Sequence, residues 1–354
     1  MIIKSIKLKE FRNYSNYELF FKEGINLLYG VNGAGKTSIL EAIYFLSTCR
    51  SFKSNEENVL INKNSDYFEI VGEINKNKNF ISNIDIVYKK SSKNIRINGK
   101  VIKKVSLLRD QIKCLYFIPS DSKLLSGYPS IRRKYLNINI GNLSKKYLSL
   151  YSEYNKLKKS RNILLKKEKY DRNLIDAITE QIISIEEEIY NYRWEYVKNV
   201  NLYLSKIYKR ISQDKNNIEI VYQPNVDGSK NYKKNALNKY QNAMLKHQDL
   251  NFGIEKDNFI IVLNGLDLKK YGSQGQNRMA IISLKIAPFY LNKNKEDSPI
   301  ILLDDVFGEL DPQNQTNLME LLKTFPQVFI TSTFKINENN SNKPNINLIQ
   351  ITKE

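Results

Sequence analysis

Two stretches carry residue types that could act on a phosphate. The first, Gly30-Val31-Asn32-Gly33-Ala34-Gly35-Lys36-Thr37-Ser38, fits the pattern G-x-x-x-x-G-K-[ST]. Its three glycines let the backbone turn tightly and aim successive N–H groups at one spot. A helix starting there adds partial positive charge. Lys36 is then placed to reach the β- and γ-phosphates, and the Thr37 hydroxyl to ligate Mg²⁺. ATP with Mg²⁺ is the expected ligand. The second stretch, Ile300-Ile301-Leu302-Leu303-Asp304-Asp305, runs four apolar residues into two carboxylates. At the end of a buried parallel strand, Asp304 could hold the metal and Asp305 could orient an attacking water. Lys36 and Asp305 are the expected catalytic residues. Many strands end in Asp, so the second pattern gains its meaning from the first.

These residues need strands and helices to position them. Ile25–Tyr29 reads as a short buried strand leading into the loop. Ser38–Leu46 reads as a helix, apolar at 39, 40, 43 and 46. Lys36 and Asp304 lie 268 positions apart, so the chain leaves the nucleotide lobe and returns. The excursion begins with strand patterns at 67–74, 79–88 and 94–102, with Asn98-Gly99 as a hairpin turn. Apolar residues then recur at Leu143, Tyr147, Leu150, Tyr154, Leu157 and Leu164, broken by Arg161. They resume at Ile175, Ile178, Ile182, Ile185, Ile189, Tyr192, Tyr196 and Val200. Steps of three and four make a heptad seam. An antiparallel coiled-coil hairpin of two helices, each about 25 residues and ~38 Å long, follows; two ordinary bundle helices predict nearly the same pattern. Residues 214–258 read as a polar return path with a helix near 234–247. The expected architecture is α/β: a composite ATPase head at 1–115 and 250–354, interrupted by a helical arm at 116–249.

Composition narrows the function. Two cysteines and one histidine in 354 residues exclude a disulfide framework, a four-ligand zinc site and a His-based metal centre. His247 reads as an ordinary polar residue. The N-terminus alternates like a strand and lacks a signal-peptide core, and no apolar run approaches membrane-spanning length, so a cytoplasmic protein with no membrane partner is expected. The net charge of +19 points to a polyanion such as nucleic acid, although lysine also accumulates on solvated faces.

Ser273-Gln274-Gly275-Gln276 precedes a helical pattern 31 positions before Asp304. That order resembles the signature motif of ABC-type ATPases, in which the signature serine of one subunit contacts the γ-phosphate held by the other. Glu309-Leu310-Asp311 resembles their D-loop, with Asp311 also poised to cap the helix at 313–322. The histidine that the class carries after the next strand is replaced by Thr331-Ser332-Thr333, so any γ-phosphate sensor there is a hydroxyl. Taken with Leu8–Tyr14, Leu40–Tyr44, Arg50–Ser54 and Arg132–Leu136, these motifs cover nearly the whole chain and resemble the RecF family of bacterial DNA replication and repair ATPases.

The resemblance implies an ABC/SMC-type P-loop head with a short, mainly helical, antiparallel coiled-coil-like arm, or lid. It implies an ATP-dependent homodimer that turns ATP over slowly and binds single-stranded, double-stranded and gapped DNA. It also implies recombination mediators as partners, help in recombinase loading, and SOS induction. Arg12 and Asn13 would sit beside the nucleotide phosphates, and Ser273, Gly275 and Gln276 would act in trans. The basic residues Arg50, Lys53, Arg132, Arg133 and Lys134 are the candidate DNA contacts. The chain departs from the family at Gly253–Asn258 and Pro119–Asp121. Other SMC-like structural ATPases carry far longer arms. A transporter subunit would have a shorter gap between loop and Asp304, with no reason for this charge.

Overall fold

A computed structural model of the chain describes residues 1–77, 80–89, 92–167, 169, 171–213, 216–228, 231–245, 252–291, 298–334 and 346–353. His247 lies outside the described residues. The chain divides into two compact units, one of residues 1–121, 210–213 and 293–354, the other of 122–209 and 214–292.

The first unit is built on two sheets. Strands β1 (Ile2–Phe11), β2 (Tyr14–Phe20), β4 (Tyr67–Asn77), β5 (Phe80–Lys89), β6 (Ser92–Ile97) and β7 (Lys100–Val101) form an antiparallel sheet in the order β2-β1-β4-β5-β6-β7. Asn98 and Gly99 both take positive φ in the two-residue turn between β6 and β7, as Asn-Gly favours. The other sheet is all parallel. Its order is β14 (Asn347–Gln350), β3 (Gly24–Tyr29), β13 (Gln327–Ser332), β12 (Ile300–Leu303), β8 (Cys114–Phe117). Helix α1 (Lys36–Thr48) packs on both sheets. Its Ile39, Ile43 and Leu46 are wholly buried, each worth about 1.5–3 kcal/mol of apolar burial. Gly72 on β4 lets α1 come close, since a Cβ there would stand 2.5 Å from Leu46 Cδ1.

The second unit holds helices α2 (Lys123–Ser126), α3 (Pro129–Leu143), α4 (Lys145–Leu165), α5 (Arg172–Ser212, whose last residues belong to the first unit), α6 (Tyr232–Leu245), α7 (Leu268–Tyr271) and α8 (Gln274–Ile286). It also holds a small sheet of β9 (Ile218–Gln223), β10 (Asn258–Leu263) and β11 (Leu266–Asp267). The remaining helix, α9 (Pro312–Leu322), belongs to the first unit.

Helices α4 and α5 run antiparallel. Lys146 pairs with Glu188 at 2.6 Å near one end, and Arg161 Nε donates to Thr179 Oγ1 at 2.8 Å near the other. The seam differs from the heptad expectation in three ways. Leu143 is the exposed last residue of α3, so the seam starts at Tyr147. Arg161 fills its interrupted position as a buried residue, its charge facing Thr179 and the Tyr240 ring. At 41 residues α5 is far longer than expected, about 62 Å at 1.5 Å per residue.

The units also divide at 121/122 and 292/293, where the sequence reading placed boundaries at 115/116 and 249/250. The cause is β9, which the sequence reading took for a polar return path. Ile218, Ile220 and Tyr222 alternate inward, and β9 pairs along the whole of β10. That pairing, with the Tyr135 hydroxyl donating to Leu284 O at 2.8 Å, places residues 258–291 with the helical unit.

Candidate nucleotide site

The phosphate loop leaves the carboxyl end of β3, where open parallel sheets present their ligand sites. Gly33 and Gly35 take φ of 79° and 99°, conformations a side chain resists. A Cβ on Gly35 would stand 2.4 Å from Tyr14 Oη and 2.6 Å from Asn13 Nδ2. The Arg12-Asn13 turn between β1 and β2 therefore abuts the loop, and Tyr14 Oη donates to Ala34 O at 3.3 Å. On another side, Ile351 follows β14 across the loop entry: a Cβ on Gly30 would meet Ile351 O at 2.2 Å. Lys353 brings its Cε within 3.8 Å of the position of a Gly33 Cβ.

Strand β13 lies between β3 and β12, so the ends of these three strands converge. Thr37 Oγ1 donates to Asp304 Oδ1 at 2.8 Å, joining residues far apart in sequence. From β13, Thr331 Oγ1 donates to the same Oδ1 at 2.8 Å and accepts the Asp305 N–H at 2.9 Å. Asp304 is buried, whereas Asp305 is exposed and holds φ at 50°. Lys36 Nζ donates to Gly30 O at 2.5 Å and Val31 O at 2.8 Å. Burial lowers the Lys36 pKa, opposed by the charges of Asp304 and Asp305.

The donor set fits a nucleotide with a hard cation. It offers a glycine cradle, an ammonium held by loop carbonyls, and a hydroxyl–carboxylate pair of the kind that holds Mg²⁺. Val31, Asn32 and Gly33 of the loop are exposed, Ala34 is buried, and Ser38 continues α1. Arg12 is placed differently from the simple expectation of a phosphate contact. Its Nε and Nη2 donate to Glu41 at 2.9 Å each, and its Nη1 to Val59 O.

The other expected residues divide. Ser273 caps α8: its Oγ accepts the Gln276 N–H, and the Gln276 side chain accepts the Ser273 N–H, a capping box. This leaves the Ser273 hydroxyl proton available to an anion. Gly275 lies in the first turn. The signature residues belong to the second unit and the phosphate loop to the first. Asp311 caps α9, accepting from Asn314 N at 2.8 Å. Arg50 and Lys53 are exposed, but Phe52 between them stacks on Tyr116 at 5.2 Å and is not offered to a base.

Arg132 is corrected. It is 7% exposed, and its guanidinium donates to Asn258 Oδ1 and to the carbonyls of Leu124, Leu125 and Gly127. It anchors the helical unit, its donors turned to interior acceptors and not to solvent. Arg133 is half-buried and donates to Asp257 O, and only Lys134 of the three is fully exposed. The departure at Gly253–Asn258 is structural: Asp257 receives Arg193 at 2.6 Å, the Tyr222 hydroxyl, and Asn225 N at 2.9 Å. At Pro119–Asp121, Asp121 accepts the Ile118 N–H at 2.8 Å. Sequence reasoning assigned no role to Glu41, and for Thr331 only that of a hydroxyl in the stretch that replaces the histidine. For Glu41 a signal existed, a lone carboxylate amid the apolar positions of α1.

Among the described residues, no helix is long and apolar enough to cross a membrane. Known proteins are similar to this chain. The RecF/RecN/SMC N terminal domain family matches residues 2–353. A "DNA replication and repair protein RecF" of Thermoanaerobacter sp. (strain X514) is 36% identical over 347 residues, 95% of each chain. That of Lachnoclostridium phytofermentans is 35% identical over 338 residues, covering 94% of this chain and 93% of the relative. The solved "recombination mediator protein RecF-ATP in RecFOR pathway" is 30% identical, with a TM-score of 0.82, covering 99% and 95% of the two chains. An Smc head from Pyrococcus furiosus is 16% identical, with a TM-score of 0.58 over 94% and 89% of the chains, and shares the fold.

Proposed function

Because this chain belongs to the RecF family of DNA replication and repair proteins, we propose that it is an ATP-gated, DNA-binding dimer of the cytoplasm that works with recombination mediators. The observation that carries the reading is the Thr37–Asp304 hydrogen bond, which joins the phosphate loop to the acidic strand end. Lys36 and the loop N–H groups bind the phosphates, exchanging the loop carbonyls of Gly30 and Val31 for phosphate oxygens. Thr37 and Asp304 would hold Mg²⁺, which when bound would neutralise phosphate charge. Asp305 orients the attacking water, and its backbone is fixed for that role by Thr331.

The site takes its last donor from a second copy. Ser273, at the N-terminus of α8 with its hydroxyl proton unspent, suits a phosphate oxygen. Bound ATP then holds the dimer closed, and slow hydrolysis opens it. Arg50, Lys53, Arg133 and Lys134 are the proposed contacts to the DNA backbone, giving salt-sensitive binding without sequence preference. Single-stranded, duplex and gapped DNA are candidate substrates.

The test is light scattering of Asp305→Asn with and without ATP, then with duplex and gapped DNA. ATP-dependent dimers that retain DNA support the reading. A monomer at every ATP concentration, indifferent to DNA, refutes it.

A further inference from the structure

Glu41 is wholly buried on α1, where a carboxylate without partners would be strongly unfavourable. Its partners come from outside the helix. Arg12 Nε donates to Oε2 and Arg12 Nη2 to Oε1, each at 2.9 Å, and the Ser51 hydroxyl also donates to Oε1. Arg12 is held in an uncommon backbone state, φ 55°. Its N–H donates to Leu60 O at 2.7 Å and its Nη1 to Val59 O at 2.9 Å. A pairing made only to neutralise Glu41 would not need this many constraints on one arginine. Strained conformations that the surroundings over-determine cluster at functional sites.

Donor counting shows what the grip leaves. A guanidinium has five N–H donors, and Glu41 and Val59 engage three of them. One N–H on each Nη remains. The turn that carries them abuts the phosphate loop, as the Gly35 and Tyr14 contacts show.

We propose that Glu41 is a positioning residue for nucleotide. Its bidentate grip presents the two remaining Arg12 donors to a phosphate oxygen. Through Ser51, whose Oγ accepts the N–H groups of Lys53 and Ser54 at 2.9 Å each, the same carboxylate fixes the basic Arg50–Ser54 loop. Glu41 touches no nucleotide and acts through Arg12. The proposal rests on the nucleotide-binding reading above.

A double-mutant cycle on the intact chain tests it, with affinity for a fluorescent ATP analogue as the readout and Tm recorded alongside. Glu41→Gln keeps the volume but loses the bidentate grip. It is expected to weaken binding about tenfold, the worth of one charge-assisted contact. Arg12→Ala should do at least as much, and the double variant should be no weaker than Arg12→Ala. If Glu41→Gln weakens binding equally in the Arg12→Ala background, or leaves wild-type affinity intact, the proposal falls. A wild-type chain that binds no analogue would overturn the nucleotide reading instead. Should Glu41→Gln fail to fold, Arg12→Lys decides, because lysine keeps the charge without the fork. The same tenfold loss is expected, and wild-type affinity overturns the proposal.

Discussion

Glu186 offers a quantitative check on the core of the helical unit. It is wholly buried on α5 and accepts from the Tyr232 hydroxyl at 3.3 Å. Burial raises its carboxyl from 4.5 to about 8, against the Ile254 amide and the Tyr232 and Tyr154 hydroxyls, which favour the anion. The folded value lies above the unfolded one, so between these limits the unfolded chain has released a proton that the native state keeps. The group's contribution to stability is therefore fully present below pH 4.5 and is lost as pH rises toward 8. The loss is about 1.4 kcal/mol per pH unit in that window. Glu186→Gln mimics the protonated side chain and lacks the loss. It should exceed the wild type by about 1 kcal/mol at pH 5, about 3 at pH 7 and about 5 at pH 9, levelling off above pH 8. Trp194, the only tryptophan, lies two turns along the same helix and reports on this unit by fluorescence. Urea unfolding at the three pH values gives the difference. A constant gap from pH 5 to pH 8, or a glutamine variant less stable than the wild type at pH 7, would refute the reasoning.

Four further outcomes are expected. Phosphate binding needs the Lys36 ammonium, and burial lowers its pKa from 10.5. ATP affinity should therefore fall as pH rises through that lowered value, earlier than an ordinary lysine allows, and Lys36→Ala should bind no ATP by calorimetry at any pH. Arg193 and Asp257 form a buried ion pair at 2.6 Å, so Arg193→Met should cost about 3–5 kcal/mol in urea unfolding by stranding the carboxylate. Arg132→Ala should lower Tm while leaving the salt dependence of DNA binding unchanged, because its guanidinium serves four interior acceptors. Lys134→Glu should leave Tm unchanged and reduce the log-affinity against log-salt slope by about 1.

What could be read from the sequence was local or periodic. The phosphate loop, the acidic strand end at 300–305, the Asn98-Gly99 turn and the α4–α5 seam each declare themselves within a few residues. What escaped depends on pairing across long separations. Ile218, Ile220 and Tyr222 alternate as a strand should, yet only β10, some 40 positions on, makes β9 a strand and draws residues 258–291 toward the helices. Charge misleads in the same way. Arg132 sits in a basic run that looks solvated, and its acceptors come from Leu124 to Gly127 and from Asn258. Arg161 looks like an interruption of the seam because its neutral partner, Thr179, lies on the other helix. Burial of a charge is decided by what surrounds it, and that is not written beside it.

The missing histidine can now be placed in the same terms. ABC-type sites usually carry an imidazole after the strand that here closes with Thr331 and Ser332. A hydroxyl could replace it as a γ-phosphate sensor only if its proton were available. Thr331 is 2% exposed and spends that proton on Asp304 Oδ1, while its lone pair takes the Asp305 N–H. It is an organiser, fixing the Asp304 carboxylate and the Asp305 backbone with one oxygen. The Asp305 N–H bond also stabilises a φ of 50°, which aspartate tolerates better than most residues. On the function proposed above, contact with the γ-phosphate would then fall to Lys36, once it exchanges the Gly30 and Val31 carbonyls for phosphate, to the two remaining donors of Arg12, and to Ser273 of a second copy. Thr331 therefore serves the site by holding the Asp304 carboxylate and the Asp305 backbone in place.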